Sequence, residues 1–171
     1  MTPNEKYQAE IAQSEIDHHT PTAGAMTGHV LANLAIQQTK LKQAAFYGQG
    51  QTAKADFRAL ALKEAQLFDE LAELMLDEGE VIPTTTEEFT RYTMLQELGE
   101  TKYQPTTTLQ ANLVADLDTQ NMFITRAIKL AKKEDKFPLA HFLTELYSFN
   151  QRQIRLLQEA LHRDLWEGRE E

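Results

Sequence analysis

The sequence predicts an all-α protein built as a bundle of four long helices. Three observations carry that reading. Four stretches of about 20 to 27 residues repeat apolar side chains at helical spacing. The 7 glycines and 5 prolines fall at the boundaries of those stretches. No segment alternates apolar and polar residues as a half-buried strand does, and no internal repeat is evident.

With 171 residues, 42% of them hydrophobic, the chain is long enough for one domain with a substantial core. A formal net charge of −9 argues against a simple basic nucleic-acid binder and against binding to anionic membrane surfaces. The absence of cysteine excludes disulfides, thiolate metal sites and cysteine nucleophiles. The start, MTPNEKYQAEIAQSEIDHH, lacks the basic n-region and apolar core of a signal peptide. No apolar run reaches the roughly 20 residues of a membrane span. A cytoplasmic protein without a membrane partner is the expectation.

Along the chain, residues 4–16 read as a short helix with Tyr7, Ile11 and Ser14 on one stripe, broken by DHHTPTAG with Pro21 and Gly24 as punctuation. The first long helix is expected from about Thr27 to Tyr47, with Leu31, Leu34, Gln38, Leu41 and Ala45 turned inward and GQG ending it. The second covers about 52–78. Its apolar band of Phe57, Leu60, Ala61, Leu67, Phe68, Leu71, Leu74 and Met75 is broader than a single neighbour requires. After Gly79 and Pro83, Thr86 reads as the N-cap of a shorter helix over 87–98, with Glu87 and Glu88 suited to its first turn.

The third long helix, about 107–133, carries Leu109, Leu113, Leu117, Ile124, Ile128 and Ala131 inward, and Lys129, Lys132 and Lys133 complement its C-terminal dipole. The fourth, about 138–163, repeats Leu139, Phe142, Leu146, Phe149, Leu156 and Ala160. A short helix between the second and third implies that their connection travels the length of the bundle. That long crossover is the ferritin-like topology rather than the up-down one. The expected organisation is an N-terminal extension over 1–26 with a short helix, the bundle over 27–165, and a tail over 166–171.

Three segments taken in order, LANLAIQQTKLKQAAFYGQG at 31–50, FDELAELML at 68–76 and PTTTEEF at 83–89, resemble the Dps family, the ferritin-like DNA-protection proteins or mini-ferritins. The resemblance runs over about 28–163, including a weaker match of FLTELYSFNQRQIRLLQEAL to the last helix, and a few residues are missing around 51–60. It implies a hollow homo-oligomer, a dodecamer. The broad band of the second helix, with Ala65 and Ala72 added, is compatible with burial against another subunit. Close packing within one chain is the alternative use of those small residues.

The family also implies a di-iron ferroxidase site shared between subunits. One subunit supplies an Asp and a Glu of the second helix, and its partner supplies a His from a His-Trp run and another early in the second helix. Carboxylates suit hard iron, and imidazoles raise affinity while leaving positions open for oxidant. Here Asp69 and Glu73 match the carboxylates. Ala45-Phe46 stands at the His-Trp position, and no histidine occurs between His29 and His141, so the implied site is degenerate. Asp56 is a candidate replacement ligand. Carboxylates four apart on a helix are more often a solvated face, so iron rests on the resemblance.

The remaining histidines have ordinary readings. His18-His19 are expected in a Pro-flanked loop, and His29 and His162 are expected as surface or cap residues. His141, early in the last helix, is near where the resemblance places the family's acidic three-fold pore, with Glu134, Asp135, Lys132, Lys133 and Lys136 as its neighbouring charges. Their mixed charges weaken an iron-attracting funnel.

For DNA, the family uses flexible basic ends, yet residues 1–20 offer only Lys6 against Glu5, Glu10, Glu15 and Asp17. Multivalency across a shell compensates for weak single contacts. Lys54, Arg58, Lys63, Arg152 and Arg155 are further candidates, or else members of solvated faces and ion pairs. There is no GxSxG, P-loop or GxGxxG, and no catalytic residue is assigned.

The expected function is therefore a Dps-like shell protein that binds and protects DNA under starvation or oxidative stress, associated with the nucleoid. The alternative is an iron-oxidising, iron-storing mini-ferritin with non-standard ligands.

Overall fold

A computed structural model describes residues 1–169 as six α-helices. They are α1 (Pro3–His19), α2 (Ala23–Tyr47), α3 (Gln51–Asp77), α4 (Thr86–Tyr92), α5 (Thr106–Lys133) and α6 (Phe137–Ala160), with a short 3-10 turn over Gly99–Tyr103. Among the described residues there is no strand.

The core fixes the topology. One apolar cluster joins Leu31 and Leu34 of α2, Leu71 and Met75 of α3, Ile124 of α5, and Leu139 and Leu143 of α6. A second joins Leu41 of α2, Phe57 and Leu60 of α3, Leu113 and Leu117 of α5, and Ile154 of α6. So α2 runs from the first cluster to the second, α3 returns, α5 again runs from second to first, and α6 goes back. Helices α3 and α5 are therefore parallel, and residues 78–105 must span the bundle. This is the ferritin-like four-helix bundle, with α4 in the long crossover as the spacing implies.

Between the two clusters each of the four long helices contributes a buried polar side chain: Gln37, Glu64, Gln120 with Asn121, and Asn150. Gln120 donates to Gln37 Oε1 at 3.1 Å, and Asn150 donates to Asn121 Oδ1 at 3.1 Å. The inward position of α2 is thus Gln37, at 2% exposure, rather than Gln38. In the last turns of α6 the buried pair is Ile154 and Gln158, whereas Leu156 and Ala160 lie outward along a groove against α3.

Several boundaries move. Helix α1 reaches His19, because Thr2 and Glu5 form a capping box at its start and Pro21 acts only two residues past its end. His18 and His19 therefore occupy its last turn, not a loop. Helix α2 begins at Ala23, capped by Thr22. Gly24 lies inside it because the Glu80 carboxylate packs where a Cβ would sit.

Thr85, not Thr86, caps α4. That helix stops at Tyr92 because Asn33 Oδ1 takes hydrogen bonds from Thr93 Oγ1 at 2.9 Å and Met94 N at 2.8 Å, holding the strand-like segment against α2. At the far end, Arg169 pairs with Asp118 at 2.9 Å, so the tail folds back as far as it is described; residues 170–171 of the expected tail lie outside the described residues.

Candidate functional site

Asp69 and Glu73 project from α3 one turn apart, and both are exposed. Asp77, a further turn along, is exposed as well, so this face of α3 is an acidic stripe. Asp56 is exposed on the same helix but 13 residues away, roughly 20 Å along the axis at 1.5 Å per residue. It cannot join Asp69 and Glu73 within one chain.

Among the described residues no group of three or more His, Cys, Asp or Glu side chains converges as a metal cage. At the His-Trp position Ala45 is buried in the chain's own core, at 2% exposure, and Phe46 is exposed under the guanidinium of Arg58. Neither can bind a metal. The donor set that remains is two carboxylates without imidazole.

The residues near the α5–α6 turn serve the bundle. Glu134 Oε2 accepts the Ala23 N–H at 2.6 Å, closing the start of α2, and Lys136 pairs with Glu80 and with Glu134, the latter at 3.5 Å. Lys132, Lys133 and Asp135 are exposed. His141 is exposed on α6 and lies 3.3 Å from Glu145. His162, two residues past the end of α6, has a φ of 55°.

The N-terminal helix is the most exposed element of the chain. No residue of α1 is buried; Tyr7, Glu10, Ile11, Ser14 and Asp17 are half-covered, and Lys6 is exposed. Its link to the bundle is polar. Ser14 Oγ lies 3.1 Å from the Tyr92 hydroxyl, and His18 meets His29 of α2. Burial lowers the pKa of His29, favouring its neutral form, partly opposed by the Tyr92 carbonyl. Of the other basic candidates, Lys54 donates to the Phe46 carbonyl at 3.2 Å and Arg155 pairs with Glu159 at 2.7 Å. Arg58, Lys63 and Arg152 are exposed.

Two features escaped sequence reasoning. The contact of His18 with His29 needs the docking angle of α1, which nothing local encodes. Glu64 reads as one more surface charge on a long helix, yet it is 1% exposed and neither carboxylate oxygen has a hydrogen-bond partner. Burial, with the nearby Asp116 charge, raises its pKa well above the usual range. The rotation of α3 in the bundle was the missing signal.

Structures that align over nearly the whole chain include two from Lactococcus lactis MG1363. The DpsB protein is 45% identical over 94% of this chain and 95% of its own, with a TM-score of 0.92. The DpsA protein is 41% identical over 97% and 99%, with a TM-score of 0.94. Dps from Listeria monocytogenes, 23% identical over 85% of this chain and 97% of its own at a TM-score of 0.82, shares the fold. No protein-family model and no curated protein matches the sequence. With more than 40% identity to two Dps proteins across almost its entire length, the chain belongs to the Dps family, the mini-ferritins.

Proposed function

We propose that this chain assembles into a homo-oligomeric Dps shell, a dodecamer, that binds and protects DNA under starvation or oxidative stress, in the cytoplasm and at the nucleoid. The observation that carries the DNA reading is α1: a full helix of 17 residues that buries none of them and presents Lys6 to solvent. Family membership adds the shell, and Leu62, Leu76, Met122 and Leu156 are exposed on the long helices, apolar area suited to contact between copies. Among the described residues, no helix is long and apolar enough to cross a membrane.

A single α1 carries more acidic than basic side chains, so one arm holds DNA weakly. Many arms on one shell engage the same duplex together, and the affinity is then steep in salt. Deleting residues 1–20 tests this. Retardation of DNA in a gel should disappear while size-exclusion chromatography still shows the intact shell. Undiminished retardation by the truncated shell would remove α1, and Lys6 with it, from the DNA contact.

A second reading is supported by Asp69 and Glu73, whose exposure leaves them free to bind iron at a subunit boundary. In that reading iron is a substrate held by carboxylates and by groups from another copy, and oxidation is slow because the imidazoles are missing. Fe(II) oxidation with peroxide and with oxygen, against a protein-free control, separates the two. Fast oxidation with iron kept in solution would make the protein a ferroxidase with replacement ligands.

A further inference from the structure

The imidazoles of His18 and His29 meet through their Nε2 atoms, 3.0 Å apart. Their other nitrogens are already committed. His18 Nδ1 lies 2.5 Å from the Ser14 carbonyl oxygen, and His29 Nδ1 lies 2.7 Å from the Tyr92 carbonyl oxygen. A carbonyl only accepts, so each Nδ1 carries the ring's proton. In the neutral rings both Nε2 atoms then present lone pairs, and these lone pairs point at one another. Two acceptors at hydrogen-bond distance repel, so the arrangement calls for positive charge between them: a proton on one Nε2 supplies it as an N–H···N bond, and a metal ion supplies it through two coordinate bonds.

We propose that His18 and His29 form a two-imidazole binding site for a divalent transition-metal ion of the Zn2+ type, which clamps the N-terminal helix onto the bundle. The orienting contacts are those of metal-binding histidines, in which the non-ligating N–H is held by a backbone carbonyl. The distance fits after a small opening: at Zn–N bonds of about 2.0–2.1 Å and a tetrahedral angle, the two nitrogens stand about 3.3 Å apart. The rings are near perpendicular, at 87°. The Tyr92 ring stacks at 5.7 Å from His18, holding that ring in place.

The surroundings favour positive charge. The groove between α1 and the bundle beside His18 is lined by Glu10, Asp17, Glu80 and Glu88, of which Glu80 is paired with Lys136. Glu10 and Glu88 are close enough to raise the pKa of Glu10, after the effect of its partial burial. Water completes the coordination, since the chain supplies two ligands. The site is separate from Asp69 and Glu73, which lie on the exposed face of α3.

The test is Zn2+ binding by the full-length protein, read by competition with a chromophoric chelator. It compares wild type with His18→Gln and His29→Gln, all in an Asp69→Ala, Glu73→Ala background that removes the α3 carboxylates. One Zn2+ per chain should bind, and either substitution should weaken it on the order of tenfold or more, since one of two protein–metal bonds is lost. Zn2+ should also slow amide hydrogen exchange across residues 3–19 in the parent protein and not in His18→Gln. His18 is exposed, so its substitution does not threaten the core. Equal Zn2+ affinity in the parent and both variants, or no stoichiometric binding by the parent, would overturn the proposal. DNA retardation plays no part in these readouts, so the site stands or falls apart from the proposed function.

Discussion

Replacing Glu64 with glutamine should stabilise the protein at neutral pH and do nothing in acid. Glu64 is 1% exposed between the two apolar clusters, and both of its carboxylate oxygens lack a hydrogen-bond partner. Asp116, whose charge adds to the upward shift of Glu64, is itself engaged with Lys40 at 2.5 Å. An isolated buried carboxylate is costly, so the group keeps its proton and its pKa rises well above the usual range, chiefly through burial.

The sign follows from linkage. The folded chain holds this proton to a higher pH than the unfolded chain does. Between the unfolded pKa of about 4.3 and the raised folded value, the native state binds more protons, and stability falls as pH rises by about 1.4 kcal/mol per unit. Glutamine has nearly the same shape as the neutral acid and never ionises. The two proteins should therefore melt together near pH 4. Above the unfolded pKa the variant's lead should grow with pH at up to about 1.4 kcal/mol per unit, each kcal/mol being about 2–4 °C in Tm for a chain of this size. Thermal melts followed by circular dichroism from pH 4 to 7 measure the difference directly. Melting curves that stay parallel across that range would refute the reasoning, because they would mean that Glu64 ionises in the folded protein at its ordinary pKa.

Asn33→Ala removes the acceptor that holds Thr93 and Met94 to α2, leaving the Met94 N–H without its partner. A loss of about 1–3 kcal/mol is expected in chemical denaturation, with faster hydrogen exchange at 93–98 rather than across the bundle. Gly24→Ala places a methyl group against the Glu80 carboxylate, so the Lys136 pairing must shift; a lower Tm is expected, and no change would show that Glu80 moves freely. Asp69→Ala combined with Glu73→Ala should change Fe(II) oxidation little, since no imidazole accompanies them; the collapse of a fast wild-type rate would show a working centre. For DNA, Lys6→Gln should lower the slope of log affinity against log salt in a shell that still assembles, and an unchanged slope would clear Lys6 of phosphate contact.

The periodicity of apolar residues was enough to place the four long helices, because each must bury a stripe and the stripe is written every three or four residues. A short helix between the second and third was enough to imply the crossover, since a helix there leaves no room for a tight turn. Family membership was legible for a related reason: the order of motifs along a chain survives without knowledge of contacts. Asp69 and Glu73 were likewise legible as neighbours on one helix face, and they are.

Helix ends are less legible in the sequence where the deciding partner is distant. Residues 93–98 have the composition of a helix end, but Asn33, 60 residues earlier, competes for their polar groups and draws them straight. In the sequence the last turn of α1 has the look of a loop because Pro21 follows it closely, although a proline does not disturb the helix that precedes it by two residues. Within α6, Leu156 and Ile154 are both apolar, and only the angle at which α6 meets α3 and α5 selects Ile154 for the core.

The sequence by itself thus determined which segments are helical, how many long helices share the core, and which carboxylates share a turn. Those properties depend on residues a few positions apart. Tertiary structure alone decided that Glu64 is buried without a partner and that His18 and His29 meet at their Nε2 atoms. Each of these depends on the rotation and axial register of separate helices, which are fixed by the fit of many side chains at once and are written at no single position of the chain.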